Sequence, residues 1–242
     1  MKRYFVYFAF GIAIAACEPA TQENSEDPKP AEPSEFRIER FYASFENCES
    51  TDENCTYFEV SYPVFEGASL EAVNQFISDI KSPVFDPDLR MLPLDSIASD
   101  FITNYAEFKR DFPESSQSWF TKHQITVENE VDSAILIAAA INEYGGGAHG
   151  NYAINYYQVN KATGKPIVLA DLYSQEEVDR MGTIMSVSID PSISLLTETI
   201  VPNENFILSN DSITFIYNPY EIAPYSEGVI RLSLPRDQSP IM

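Results

Sequence analysis

Apolar residues recur along the chain with two different periods, which separate predicted strands from predicted helices. Alternating apolar and polar positions predict strands at 36–45, 56–65, 119–131, 152–159, 213–217 and 228–234. A continuous apolar run over 134–141 is too short for most helices. It therefore predicts a central strand that is buried on both faces.

Three other segments show helical spacing. The first follows a predicted N-cap at Ser69 and carries Leu70, Val73, Ile77 and Ile80. The second, over 95–112, carries a stripe that we interpret as core: Ile97, Phe101, Tyr105, Phe108 and Phe112. The third opens with a capping box at Ser174 and Glu177. Because strands and helices fall in blocks, we predict an α+β fold, a mostly antiparallel sheet packed against two to three helices in a single domain.

The first sixteen residues are typical of an export signal. Lys2 and Arg3 precede an apolar stretch about half as long as a membrane-spanning helix requires. Cys17 follows two alanines, which resembles the bacterial lipobox, where the cysteine is lipidated and becomes the new N-terminus. We therefore expect a signal peptide at 1–16 and a lipid anchor on Cys17, with an ordinary signal peptide as the alternative. Glu18 favours an outer-membrane or surface destination in a cell with two membranes.

Residues 17–35 are acidic, rich in proline and almost free of apolar side chains. Such a segment cannot bury enough surface to fold, so we interpret it as a solvated tether. Residues 36–242 then form one domain of about 200 residues.

Cys48 and Cys55 lie at the two ends of a polar turn between two predicted strands. An oxidising compartment allows them to pair, and their placement suits a disulfide that closes the tip of a hairpin. Two cysteines without a nearby histidine make a poor zinc site. We predict no metal and no cofactor.

The charge of the chain restricts its partners. Lys and Arg total 15 against 37 Asp and Glu, a net charge of −22. Nucleic acid is excluded as a partner because its binding needs a basic surface, and an anionic membrane surface is disfavoured for the same reason. The acidity would instead steer a basic protein toward this one, unless it serves only solubility.

Four of the nine glycines lie in 142–150, after the most buried strand. Glycine permits a positive φ and close approach to the backbone. The spacing matches no phosphate-binding pattern, and no metal-ligand or nucleophile-elbow motif accompanies the histidine, so we do not expect an enzyme. A structural turn is the alternative to a binding site made by Tyr144, Gly145, Gly146, Gly147 and His149.

The second candidate stretch is 217–228, which holds two prolines, three tyrosines and two glutamates between predicted strands. Rigid aromatic area beside negative charge suits contact with a partner, through Tyr220, Glu221 and Tyr225. The alternative is a packed loop with half-buried tyrosines.

Three ordered motifs of the chain resemble one family. They are Tyr-Gly-Gly-Gly-Ala-His-Gly at 144–150, Thr-Gly-Lys at 163–165 with Leu-Ala-Asp-Leu-Tyr at 169–173, and Pro-Tyr-Glu-Ile-Ala-Pro-Tyr at 219–225 with Gly228. The family is the extracytoplasmic domain of RsiV-type anti-sigma factors, which also precedes the catalytic module of PdaC-type peptidoglycan deacetylases.

The resemblance implies an α+β domain that binds another molecule at the cell envelope, and in the RsiV type that molecule is lysozyme. The sequence shows neither a sigma-binding segment, a spanning helix nor a deacetylase module, so we expect neither that signalling route nor deacetylation. Two hypotheses follow. One is a lipid-anchored protein that binds a cationic envelope-active protein such as lysozyme. The other is binding, or less readily hydrolysis, of peptidoglycan or another glycan, with Trp119 and tyrosines stacking on sugars.

Overall fold

The computed structural model describes residues 33–83, 91–131 and 133–236. The predicted signal peptide, Cys17 and most of the tether lie outside the described residues. The strands and helices are, in chain order, β1 (Phe36–Ser44), β2 (Tyr57–Phe65), α1 (Glu71–Ile80), α2 (Leu94–Asp111), β3 (Phe120–Glu130), β4 (Ala134–Tyr144), β5 (Asn151–Asn160), α3 (Leu169–Leu172), α4 (Gln175–Ser188), β6 (Phe206–Leu208), β7 (Ser212–Tyr217) and β8 (Ile230–Pro235).

The strands form two sheets. The larger has the order β1-β2-β3-β4-β5, and the smaller has the order β6-β7-β8. Every pair is antiparallel except β2 and β3, which run parallel because the chain between them passes through α1 and α2. The predicted α+β, mostly antiparallel fold is confirmed. The division into two sheets was not predicted, since alternation marks a strand but does not identify its neighbours.

Helices α1 and α2 cover one face of the larger sheet. Val73 and Ile77 of α1 pack into a core with Ile135 and Ile137 of β4. Ala98 of α2 packs into a second cluster, with Phe58 and Val60 of β2. Burial of such apolar side chains is the main favourable contribution to folding, at about 1.5–3 kcal/mol each.

The smaller sheet covers the opposite face over β4 and β5, where Ile216 packs against Ala138 and Tyr156. Its other side forms a separate core with α4, in which Met185 and Phe215 are fully buried. The apolar run of β4 is therefore buried on both faces, as predicted.

Two asparagines join the smaller sheet to the outer edge of β5. The side chain of Asn205 accepts a hydrogen bond from the Tyr156 amide at 2.8 Å and donates one to the Ile154 carbonyl at 2.8 Å. Asn218 accepts one from the Ile154 amide at 2.8 Å. Both side chains are buried. They therefore satisfy backbone groups that a fully paired strand would give to a neighbouring strand.

The local signals are confirmed with one exception. Cys48 and Cys55 form the predicted disulfide at the tip of the β1–β2 hairpin. The capping box at the start of α4 is present, with the Glu177 carboxylate accepting a hydrogen bond from the Ser174 amide at 2.8 Å. The predicted N-cap at Ser69 is wrong, because Ser69 lies inside a 3₁₀ turn that precedes α1. None of the described helices is both long and apolar enough to cross a membrane.

His123 of β3 is a buried titratable group beneath α1. Its Nδ1 lies 3.1 Å from the Lys81 carbonyl, to which a neutral imidazole can donate. Burial lowers the pKa of His123 below its usual value, and the hydrogen bond to Lys81 opposes this effect only in part. The folded protein therefore favours the neutral imidazole.

We expect His123 to make folding less favourable in acid. The unfolded chain takes up a proton near the ordinary histidine pKa of about 6.5, whereas the folded chain resists until a lower pH. Ionisation of His123 therefore costs no stability well above about pH 6.5, and stability declines as the pH falls below that value, by up to about 1.4 kcal/mol per pH unit. Urea denaturation from pH 7.5 to pH 5 of the protein and of its His123→Asn variant should show a weaker pH dependence in the variant. His149→Asn, which changes an exposed histidine, is the matched control, and equal slopes for all three proteins would contradict the prediction.

Candidate functional site

The turn between β4 and β5 forms the first half of the candidate site. Gly146 and Gly147 adopt φ angles of 93° and 96°, a region that residues with a Cβ rarely enter. The Tyr144 hydroxyl donates to the Gly147 carbonyl at 2.9 Å and so closes the turn on itself. His149 emerges from this turn with its side chain exposed and its Nδ1 2.9 Å from the Gly150 carbonyl.

The connection between β7 and β8 forms the second half. Its centre is anchored by Ile222 and Ala223, which are buried in the core of the smaller sheet. Tyr220 has a φ of 71°, which is uncommon for a bulky residue, and its side chain is 58% exposed. Its amide donates to the Ala223 carbonyl at 2.9 Å. The loop therefore holds a strained backbone conformation and presents a tyrosine ring to solvent at that point.

The two halves meet in a cluster of four rings. His149 stacks on Tyr225, with 4.3 Å between ring centroids and 27° between ring planes. Tyr152 meets the same Tyr225 edge-on at 5.6 Å, and Tyr220 lies 5.9 Å from it. Tyr225 is thus the central ring, contacted from both loops and from β5. We call His149, Tyr152, Tyr220 and Tyr225 the ring cluster.

The site residues predicted from the sequence behave differently from one another. His149, Tyr220 and Tyr225 come together although they are up to 76 positions apart, while Tyr144 and Gly145 to Gly147 shape the turn beside them. Sequence reasoning missed Tyr152. Tyr152 lies in an ordinary alternating strand, so the sequence does not distinguish it from other strand residues. It joins the cluster only because the β7–β8 loop packs against β5.

Glu221 is engaged in hydrogen bonds to neighbouring residues of the protein. Its carboxylate accepts hydrogen bonds from the Asn218 amide at 3.1 Å and from the Asn203 side chain at 3.3 Å. These bonds stabilise the loop that carries Tyr220. Glu221 also borders a shallow cavity of about 360 Å³ with Thr197 and Asn203.

Trp119 is packed by three rings of α2 at centroid distances of 5.1 to 6.3 Å: Phe101, Tyr105 and Phe108. Its indole Nε1 is buried without a hydrogen-bond partner in the described part of the chain. A Cβ added at Gly146 would lie 3.3 Å from that nitrogen, so the Trp119 ring also packs against the glycine turn. This packing leaves Trp119 poorly placed to stack on a sugar ring.

The contacts of His149 and the groups around it limit the chemistry that the described residues display. In the described ranges, no hydrogen bond links His149 to a serine, cysteine or carboxylate side chain that it could activate or that could orient it. No group of three or more potential metal ligands occurs in the same residues. What the geometry provides is a cluster of four rings between two loops, in which His149 and Tyr220 are exposed and Tyr152 and Tyr225 are half-buried. Aromatic residues of this kind are enriched at the centre of protein interfaces.

The fold is an α+β domain in which two loops meet in the ring cluster, and comparison with known families agrees with this fold. Residues 49–152 match the family described as deacetylase PdaC, and residues 162–237 match the family described as protein of unknown function, DUF3298. The chain therefore carries a PdaC-like segment followed by a DUF3298-like segment, which confirms the resemblance indicated by its sequence. The PdaC match corresponds to the non-catalytic N-terminal part of such deacetylases, and neither match assigns the chain to a catalytic family.

Two crystal structures share the fold. One is a DUF3298 family member from Bacteroides fragilis, with a TM-score of 0.61, 18% identity and coverage of 84% of this chain and 91% of that one. The other is a DUF3298 family protein from Pseudomonas aeruginosa PAO1, with a TM-score of 0.51 and the same identity and coverage. At this identity the likeness concerns the fold alone. No curated protein matches the chain at a significant level.

Proposed function

We propose that this chain is a lipid-anchored cell-envelope protein that binds a cationic envelope-active protein through the ring cluster and the turn at 144–150. The observation that carries the proposal is the stacking of His149 on Tyr225 at 4.3 Å, which joins two distant loops into one exposed surface. Lysozyme is the named candidate, because RsiV-type anti-sigma factors, which the chain resembles, bind it.

The chemistry of the surface suits a protein partner. Tyrosine and histidine rings offer large contact area at a small cost in side-chain entropy. Tyr220 is exposed, and its neighbours in the cluster restrict its motion from one side. Such braced rings are the residue type that most often dominates binding energy at an interface.

The charge of the chain supports a basic partner. With a net charge of −22, the protein attracts cations over several ångströms of solvent and raises the rate of encounter with a basic protein. This steering weakens as salt screens the field, whereas the aromatic contacts persist. Anchoring through Cys17 and the tether at 17–35 would hold the domain at the membrane surface, where envelope-active proteins arrive.

Isothermal titration calorimetry with a c-type lysozyme, at low and at physiological salt, tests the proposal. We expect binding that persists at physiological salt, with micromolar or tighter affinity. Tyr225→Ala should weaken it by roughly tenfold or more, because it removes the central ring of the cluster. Val187→Ala, which truncates an exposed apolar side chain on α4, is the control and should bind like the unchanged protein.

No heat of binding at either salt concentration would reject lysozyme as the partner. Binding that Tyr225→Ala leaves unchanged would keep the partner and reject the ring cluster as its site. If binding is present, a lysis assay with and without the protein would distinguish an inhibitor from a protein that only senses or captures lysozyme.

A glycan-binding module is the second candidate, and one further feature favours it. Rings from four neighbouring strands line up on the face of the larger sheet opposite the helices, at centroid distances of 5.9 to 6.5 Å: Tyr42, Tyr57, Phe120 and Tyr144. A row of half-buried rings can contact a chain of sugars. Neutral glycan binding would hardly change with salt, so the same titration with peptidoglycan fragments separates the two candidates.

A further inference from the structure

Strand β1 is the outer strand of the larger sheet, and its free edge is long and regular. All nine of its residues pair with β2 in one unbroken register. The Glu35 carbonyl accepts from the Glu66 amide, and the Phe45 amide donates to the Thr56 carbonyl, so the odd-numbered residues bond to β2. In an antiparallel ladder the alternate residues point their N–H and C=O groups away from the partner strand. Those residues are Phe36, Ile38, Arg40, Tyr42 and Ser44.

These outward groups have no backbone partner within the described ranges, where no strand lies beyond β1. Two large apolar side chains along the edge are also exposed to solvent, Phe36 at 42% and Ile38 at 57%. Natural proteins usually block such an edge with proline, a bulge or charged side chains. β1 has neither proline nor bulge, and its charged residues, Arg37, Glu39 and Arg40, have mixed sign.

Residues 36–40, the first half of β1, are complementary to themselves in one antiparallel register. If Ile38 faces Ile38 of a second copy, Phe36 faces Arg40 and Arg37 faces Glu39, each twice by symmetry. The outward groups of the even-numbered residues then meet each other, as an antiparallel ladder requires. The facing odd-numbered residues form non-hydrogen-bonded pairs, in which the Cα atoms are only about 4.5 Å apart. Each Arg37 therefore lies against an oppositely charged Glu39.

We propose that two copies of this chain pair through β1, centred on Ile38, so that two five-stranded sheets become one continuous sheet. The match of charges selects a second copy as the occupant of this edge. Arg37 and Glu39 already form an ion pair within one copy, at 2.7 Å and largely exposed, and can exchange partners across the two-fold axis. The contact of the two Ile38 side chains across the axis, and of each Phe36 side chain with the facing Arg40, reduces the exposed hydrophobic area of the edge.

The ring cluster does not obstruct this pairing. It is built on β5 and on the loop that contacts β5, at the opposite edge of the larger sheet from β1. A dimer would therefore leave the ring cluster of each copy accessible. The net charge of −22 on each copy opposes association, so the ladder and the two ion pairs must outweigh a repulsion that salt screens.

Disulfide trapping in the full chain, expressed in its own envelope, tests the pairing. Ile38 lies on the two-fold axis, where facing Cα atoms are about 5.5 Å apart, within the range of a disulfide. Ile38→Cys should therefore give a covalent dimer on a non-reducing gel. Val187→Cys, at an even more exposed position on α4 (84% against 57% for Ile38), is the control for random collision.

Charge reversal then tests the register. Adding Arg37→Glu to Ile38→Cys places two carboxylates opposite each other on both sides of the axis and should lower the yield of covalent dimer by roughly tenfold. Adding Glu39→Arg as well restores opposite charges and should restore the yield. A yield for Ile38→Cys no higher than that of Val187→Cys would overturn the dimer. A yield of covalent dimer that neither charge change alters would overturn this register.

Discussion

Replacement of Gly164 by alanine should lower the free energy of unfolding by about 3 kcal/mol or more. Gly164 has a φ of 66°, and an ideal Cβ placed on it would clash with the backbone carbonyl oxygen of Ala72 in α1. No side-chain rotation can relieve a contact between Cβ and backbone. The turn after β5 or the start of α1 would have to move, although both border the main core.

Gly67→Ala is the matched control. Gly67 has a φ of 92°, but a Cβ there would meet nothing within 4 Å, so only the conformational strain remains, at about 1 kcal/mol. Urea denaturation followed by circular dichroism measures both variants. Equal losses in the two would show that backbone strain alone, and not the close approach to α1, makes Gly164 necessary.

Asn205→Ala should cost about 2–4 kcal/mol, because it leaves two backbone groups of β5 without partners in a buried place. These groups are the Tyr156 amide and the Ile154 carbonyl, each 2.8 Å from the asparagine side chain. Thermal unfolding should show a lower melting temperature. Asn151→Ala, at an exposed position on the same strand, should have little effect.

The same variant connects stability to the candidate site. Asn205 helps to hold the smaller sheet against β5, and Tyr225 reaches the ring cluster from that sheet. If the asparagine bonds position the loop, Asn205→Ala should also weaken the proposed lysozyme binding at a temperature where the protein is still folded. Unchanged binding together with lowered stability would show that the loop keeps its position without the Asn205 bonds.

Features of the fold that depend on nearby residues could be predicted from the sequence. The alternation at β1 and β2, the disulfide at their tip and the Ser174 capping box each involve residues that are close in the chain, and all three are confirmed. The apolar run of β4 revealed burial on both faces for the same reason. The failure at Ser69 is also local: the residue type suits an N-cap, but the chain enters α1 through a 3₁₀ turn.

Features that depend on which strands become neighbours could not be predicted in this way. No local pattern shows that Asn205 and Asn218 will complete the edge of β5, since each asparagine resembles an ordinary loop residue in the sequence. The contacts of Glu221 with Asn203 and Asn218 are hidden for the same reason. The contact of His149 with Tyr225 requires both sheets, so the sequence could indicate two candidate loops but not their meeting.

The ring cluster has its halves in separate segments of the chain. His149 and Tyr152 lie in the PdaC-like segment, whereas Tyr220 and Tyr225 lie in the DUF3298-like segment. Neither segment alone possesses the surface, because each supplies only two of the four rings. If binding takes place at this surface as proposed, a chain that inherited one segment without the other would lack half of it. Selection on that binding would then act on the two segments as a unit.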